Sequence, residues 1–333
     1  MFDLKGKSIL FFCPKFFGYE KEIENKLVAL GADVDAYDER PRNNFVTKAS
    51  IRINRRLLKN TIEAYYNSIL EETGNKAYDY IFVVNIEAML PSVLERLRAQ
   101  QPSAIFILYM WDSLQNKKNT EETLPYFDRI FSFDKSDASQ LKGVSFRPLF
   151  YIDQYANISK ETQQGDVDLC FIGTVHSDRY NLLKVVKNQA DTFGLRCYFF
   201  QFFPSAALFI YKKISDIKFY DARFNEFHFI PMKTGELKRR ISAAKTVLDI
   251  QHPAQTGLTM RTIEMIGANK KLITTNADIK SYDFYNENNI LVVDRENPKL
   301  NLEFFKTPYV ALSEEITYKY GLQGWLQDLF QPQ

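Results

Sequence analysis

The chain has 333 residues, which suggests about two domains at roughly 150 residues each. Hydrophobic residues make up 45% and charged residues 25%, which excludes a disordered chain, a collagen-like fibre and a disulfide scaffold. The 43 Lys and Arg against 41 Asp and Glu give a net charge of +2, too balanced to indicate nucleic acid, and no nucleic-acid partner is expected.

Cys13, Cys170 and Cys197 are far apart and form no CxxC, so reduced thiols and a cytoplasmic protein are expected. Residues 8–13 (SILFFC) are a short apolar run without a small-residue cleavage site, which predicts a first strand and no signal peptide. Residues 19–30 have helical spacing and stop at Gly31, a good C-cap. A strand at 33–37 and a long helix at 52–72 follow. Buried strands are predicted at 80–85 and 104–110, separated by a helix starting near Pro91, with further strands at 129–133 and 144–147. The polar stretch 159–168 (SKETQQGDVD) reads as a linker. The pattern then restarts, with strands at 169–172, 196–200, 246–250, 271–275 and 290–293 and helices at 177–193 and 258–266. A closing helix at 313–330 has Ser313 as its N-cap.

Continuous apolar strands alternating with helices predict an α/β protein with two Rossmann-like, doubly wound parallel-sheet domains facing a cleft. The expected division is 1–152, a linker at 153–168, 169–307, and a C-terminal helix at 308–333 that returns to the first domain. In such sheets ligands lie beyond the carboxyl ends of the strands. That rule selects the loops 14–19, 111–116, 173–179 and 251–261.

FIGTVHSDR (171–179) reads as strand, glycine and helix start. Gly173 allows close backbone approach, Thr174 and Ser177 offer hydroxyls, and Arg179 adds positive charge where free N–H groups attract anions. The stretch is neither GxGxxG nor a Walker loop, so neither a dinucleotide cofactor nor an ATPase site is expected. A plain tight turn would use the same residues. In 249–276, Gly257 breaks the loop and the next helix carries Arg261 and Glu264 on one face. A helix start with a nearby arginine suits a diphosphate, and a carboxylate one turn on can accept two hydrogen bonds from a ribose diol. A simple surface ion pair would use the same spacing; the adjoining His-Pro-Ala-Gln-Thr-Gly loop favours binding.

FIGTVHSDRY at 171–180 and GLTMRTIEMIGANKKLITTN at 257–276 resemble the donor-nucleotide domain of GT-B glycosyltransferases of group 1 type. The likeness is to the bacterial families that build capsule, exopolysaccharide and lipopolysaccharide, through a Gly-Leu … Glu-Ala … Gly … Pro-Val-Ile-Thr pattern. It implies a nucleotide-sugar donor held by Gly173, Thr174, His176, Arg179, His252, Gln255, Thr256, Gly257, Leu258, Thr259, Met260, Arg261 and Glu264. Glu264 takes the place of the glutamate that binds the donor ribose. Many retaining members carry another glutamate eight positions earlier, where this chain has Thr256. The resemblance also implies an acceptor-side first domain, a saccharide or lipid-linked acceptor, and no cofactor or metal.

MWDS (110–113) ends a buried strand, which places Asp112 at the sheet's carboxyl edge as a candidate general base, with Glu87 the competing candidate. Trp111 could stack on a sugar or lie in the core. His176, His228 and His252 are well separated and show no zinc spacing, and Asp33–Asp35 and Asp166–Asp168 adjoin strand starts, the wrong end for a metal-nucleotide site. The aromatic run 197–224 includes Phe199, Phe200, Phe202, Phe203, Phe209 and Tyr211, followed by Lys212, Lys213, Lys218 and Arg223. It reads equally as a buried strand with a core helix or as peripheral membrane contact through 199–223, at the inner face of the cell membrane. Two other readings use the same plan: a nucleotide-sugar epimerase, and a non-catalytic, membrane-docked nucleotide-binding scaffold.

Overall fold

The computed structural model describes residues 2–114, 120–158, 166–175, 178–253 and 257–331. The chain divides into two compact units, 1–149 with 322–333, and 150–321.

In the first unit, β1 (Ser8–Phe12), β2 (Asp33–Tyr37), β3 (Tyr80–Val84), β4 (Ile105–Met110), β5 (Arg129–Ser132) and β6 (Val144–Phe146) form one sheet in the order β2-β1-β3-β4-β5-β6. All five pairings are parallel. Helices α1 (Tyr19–Ala29), α2 (Phe45–Asn54), α3 (Lys59–Thr73), α4 (Pro91–Gln100) and α5 (Lys135–Gln140) belong to the same unit. Ile81, Phe82, Val83 and Val84 are all buried, as are Phe106 to Met110, so the central strands are covered on both faces. That is why their sequences read as continuous apolar runs. The order reverses between β1 and β3, which makes their carboxyl ends the switch point of this sheet.

In the second unit, α6 (Asp153–Ile158) precedes β7 (Val167–Thr174), α7 (Arg179–Thr192), β8 (Cys197–Phe202), α8 (Ala206–Ser215), β9 (Phe227–His228), α9 (Thr234–Ala243) and β10 (Ala244–Asp249). Next come α10 (Met260–Gly267), β11 (Lys271–Thr274), β12 (Ile290–Val292), α11 (Leu302–Lys306) and α12 (Glu314–Tyr320). The parallel sheet runs β12-β11-β10-β7-β8-β9, and its order reverses between β7 and β10.

Several elements differ from the sequence reading. The helix expected at 52–72 is broken at Asn54, whose backbone is extended (φ −162°, ψ 104°) and whose side chain accepts the Arg56 N–H. That side chain offers the backbone an alternative to the helix ladder. Helix α2 thus ends at Asn54, a 3₁₀ turn covers Arg55–Leu58, and α3 begins at Lys59. The expected closing helix is two helices, because Gly321 is extended and forms a parallel bridge with Tyr151. After it, α13 (Leu322–Phe330) packs in the first unit, where the buried Trp325 meets Tyr109 edge-on at 4.8 Å. In the stretch read as linker, 153–158 is helical and β7 begins at Val167; 159–165 lie outside the described residues.

The aromatic run also departs from the membrane reading at specific residues. Phe203 and Phe209 are buried, Phe202 is half-buried, and Phe203, Phe209, Phe219 and Phe227 contact one another as rings. These four large rings have much area to hide and enter the core, whereas Tyr211, Tyr220 and Phe224 stay exposed beside the aliphatic side chains.

Candidate functional site

The second unit's switch point gathers most of the residues expected to hold a donor. Gly173 and Thr174 end β7, and Gly257 to Glu264 follow β10. A side chain on Gly173 would meet the Phe171 ring at 3.1 Å, so this glycine relieves crowding along its own strand. His176, Gln255 and Thr256 lie outside the described residues.

Helix α10 is fixed at its start by Asp249, the last residue of β10. Asp249 Oδ2 accepts the Thr259 hydroxyl at 2.5 Å and the Thr262 hydroxyl at 2.8 Å, while the Thr259 oxygen caps the helix by accepting the Thr262 N–H at 3.1 Å. Thr259 therefore serves as the N-cap, with Asp249 holding it in place. Leu258 is buried, and Asn276 Nδ2 donates to the Gly257 carbonyl at 3.4 Å, which ties the loop to the end of β11. Met260 is half-buried and His252 is exposed.

Arg261 and Glu264 pair at 3.2 Å, so the ion pair that the spacing allowed is present. It is buried, however: the Glu264 side chain is only 8% exposed. The buried Tyr155 hydroxyl on α6 hydrogen-bonds with both partners, and burial followed by the Glu264 charge pushes its pKa upward. Arg261 and Tyr155 together fix the rotamer of Glu264, as a preorganised acceptor of ligand hydroxyls requires. Further along the helix, Gly267 is obligatory: a side chain there would run into the Tyr151 ring at 2.5 Å.

Arg179 begins α7 and donates to the Thr174 carbonyl at 2.8 Å. Among the described residues its buried Nε has no hydrogen-bond partner, and its guanidinium makes no salt bridge. Burial lowers its pKa, opposed by Asp249 and assisted by Arg295, and an arginine remains charged through any such shift. The sequence reading missed Arg295, which lies just after β12. It grips Asp178 with two bonds of 2.6 and 2.7 Å and donates to the Gln251 carbonyl at 3.0 Å. Arg295 thus joins the start of α7 to the loop after β10. No local pattern marks it, because its position depends on the sheet order. Asp249 did carry a signal, as a carboxylate at a strand end ten residues before a Thr-x-x-Thr helix start. What results is a helix-start cradle with half-buried arginines and a fixed carboxylate, chemistry suited to phosphate and sugar hydroxyls.

In the first unit, the two competing base candidates prove to be connected. Asn85 is left-handed (φ 52°), and its Nδ2 donates to Glu87 Oε1 at 3.1 Å and to Asp112 Oδ2 at 3.2 Å. Glu87 is buried and held by Arg40 at 2.8 and 2.9 Å, whereas Asp112 is exposed. Trp111 is half-buried and packs 5.4 Å from Phe16.

Glu39, also missed in the sequence, is fully buried beneath this group. Its Oε1 accepts three successive backbone N–H groups, from Glu87, Ala88 and Met89, at 2.8, 2.6 and 2.9 Å. Burial, and then the Glu87 charge, pushes its pKa up to about 8, against the pull of those three donors. The folded form therefore holds a proton that the unfolded chain releases near the ordinary value of 4.5. Its contribution is complete below that value and is lost as the pH rises through about 8. Thermal melts are expected to fall across that window, and Glu39→Gln, which mimics the protonated acid, flattens the fall. An unchanged slope in the variant rejects the assignment.

The Asp-x-Asp strings are occupied by cations: Lys76 pairs with Asp33 and Asp35 at 2.7 and 2.6 Å, and Lys245 with Asp168 at 2.8 Å. Among the described residues no group of three His, Cys, Asp or Glu is placed to hold a metal ion.

No family model matches the chain, and no curated protein matches it in sequence. Solved structures do match its fold. Anabaena Alr3699/HepE in complex with UDP-glucose superposes over 98% of this chain and 98% of its own, at 10% identity and a TM-score of 0.60. A glycosyltransferase from Rickettsia africae covers 98% of this chain and 99% of its own, at 10% identity and a TM-score of 0.57. A UDP-N-acetylglucosamine 2-epimerase covers 98% of this chain and 95% of its own, at 11% identity and a TM-score of 0.55. The two six-stranded parallel sheets with flanking helices are the two Rossmann-like domains of the GT-B fold.

Proposed function

We propose that this protein is a glycosyltransferase that moves a sugar from a nucleotide-sugar donor to a saccharide or lipid-linked acceptor in bacterial surface-polysaccharide synthesis, on the cytoplasmic side of the membrane. The observation that carries this reading is the second unit's switch point. There the half-buried Arg179, its Nε without a partner, stands at a helix start, and Arg261 and Glu264 are fixed on the helix after Gly257. HepE, which has the same fold, was crystallised with UDP-glucose.

In this proposal Arg179, Arg261 and backbone N–H groups stabilise the leaving diphosphate, and Glu264 accepts from the ribose diol. Asp112 is the proposed base, since Glu87 is already ion-paired to Arg40. It takes the proton of an acceptor hydroxyl as that oxygen bonds to the anomeric carbon, and the bond from that carbon to the diphosphate oxygen breaks. No step in this scheme calls on a metal or a cofactor.

Thermal unfolding in the presence of UDP, GDP, CMP and ADP tests the reading. One of them is expected to raise stability by about 2.7 kcal/mol at a hundredfold excess over its Kd, and Arg179→Ala removes most of that gain. No stabilisation by any of the four rejects the donor site. Conversion of a nucleotide sugar to its epimer with no acceptor present would assign the fold to epimerisation instead.

A further inference from the structure

We infer that the outer face of α8 and the turn after it dock this protein onto an anionic lipid surface. The inference rests on exposure and charge, and it does not require the transfer chemistry proposed above. Among the described residues, eight of the sixteen exposed large hydrophobic side chains fall within 208–230. That concentration is unusual for a soluble surface, where such side chains are normally scattered singly.

The local fold explains how the face arises. Phe209 points inward and packs with Phe203 and Phe227, which fixes the rotation of α8. Ile210, Tyr211 and Ile214 are then left outward, 53%, 64% and 83% exposed. The 3₁₀ turn Ile217–Phe219 repeats the arrangement, with Phe219 buried and Ile217 and Tyr220 exposed at 90% and 74%. The result is a ridge of aliphatic and tyrosine side chains over a packed aromatic base.

The surrounding charge selects the occupant. The Lys213 ammonium donates to the Ala222 carbonyl, and Lys213, Lys218 and Arg223 make no salt bridge among the described residues. The acids of this stretch have their own cations: among the described residues Asp216 pairs with Lys212 at 3.6 Å and Asp221 with Lys184 at 3.2 Å. Apolar side chains beside lysine and arginine side chains that make no salt bridge match the boundary between acyl chains and anionic headgroups. Among the described residues no helix is long and apolar enough to cross a membrane, so α8 would lie along the surface.

Flotation with vesicles tests the assignment. The whole protein is expected to float with phosphatidylcholine vesicles containing about a third phosphatidylglycerol, and not with phosphatidylcholine alone. The combined variant Ile214→Ser, Ile217→Ser and Tyr220→Ser should bind at least about tenfold less, and Lys218→Glu with Arg223→Glu should do the same. All three side chains replaced by serine are solvent-exposed, and an unchanged melting temperature shows that the variant is folded. Failure of the wild type to float on the anionic vesicles overturns the inference, as does equal flotation of the serine variant. So does a wild-type dimer, indifferent to vesicles, that the serine variant converts to monomer; that result would assign the face to a second copy of the chain. Stabilisation by a nucleoside diphosphate, measured on the same preparations, reports separately on the donor site.

Discussion

Glu264→Ala is expected to weaken donor binding about a hundredfold in calorimetry, because two hydrogen bonds from a ribose diol to a carboxylate contribute about 2.7 kcal/mol together. Arg261→Ala should lose turnover to a similar degree through the leaving diphosphate. The two residues are partners at 3.2 Å, so each variant also leaves the other with a buried charge to satisfy. Stability and affinity must therefore be read separately. Glu264→Gln separates them: the amide can still accept from Tyr155 and keeps the packing, but it is a weaker acceptor for a diol. Native-like unfolding with a tenfold or greater loss of affinity in Glu264→Gln supports the ribose contact. Unchanged donor affinity in both alanine variants, with their folds intact, eliminates the clamp. In that case Arg261 and Glu264 are a buried structural pair.

Trp325→Ala is expected to destabilise the first unit by about 3–5 kcal/mol, the range for removing a large, fully buried aromatic side chain. The indole is inaccessible to solvent and packs against Tyr109 at 4.8 Å and Phe82 at 5.9 Å. For a unit of this size that is a fall of about 10 °C in Tm. Calorimetric scans should show the drop in the first unit's transition. A shift of less than about 2 °C would mean that α13 contributes little to the unit it covers.

The layout of strands was legible because parallel strands buried on both faces leave uninterrupted apolar runs, as in 81–84 and 106–110. The helix breaks at Asn54 and Gly321 were not legible. Asn54 closes α2 with a side-chain bond to its own neighbourhood, and Gly321 is drawn out of the helix by the bridge to Tyr151, a residue 170 positions away. The loops proposed to hold a donor were legible in part as local structure. Gly257, Arg261 and Glu264 lie in one short stretch, so helical spacing alone put the two charges on one face. Arg295 and Tyr155 reach the same region from distant stretches of chain, where no local pattern identifies them. In the first unit, Asn85 shows why Asp112 and Glu87 were hard to separate. The sequence offered them as rivals, whereas one amide in a left-handed backbone position binds both. The aromatic run read equally as buried or as membrane-facing, and Phe203 and Phe209 take the buried alternative. Which side of α8 faced the core was set by the rings already packed beneath it.

The return of α13 bears on how the protein is made. The first unit's sheet is finished by Phe146, yet the surface around Phe82 and Tyr109 waits for Trp325. A ribosome must therefore translate the whole intervening unit before that apolar surface is covered. Throughout that interval the nascent chain presents a sticky flank, the kind of surface that chaperones bind and that aggregates when they are scarce.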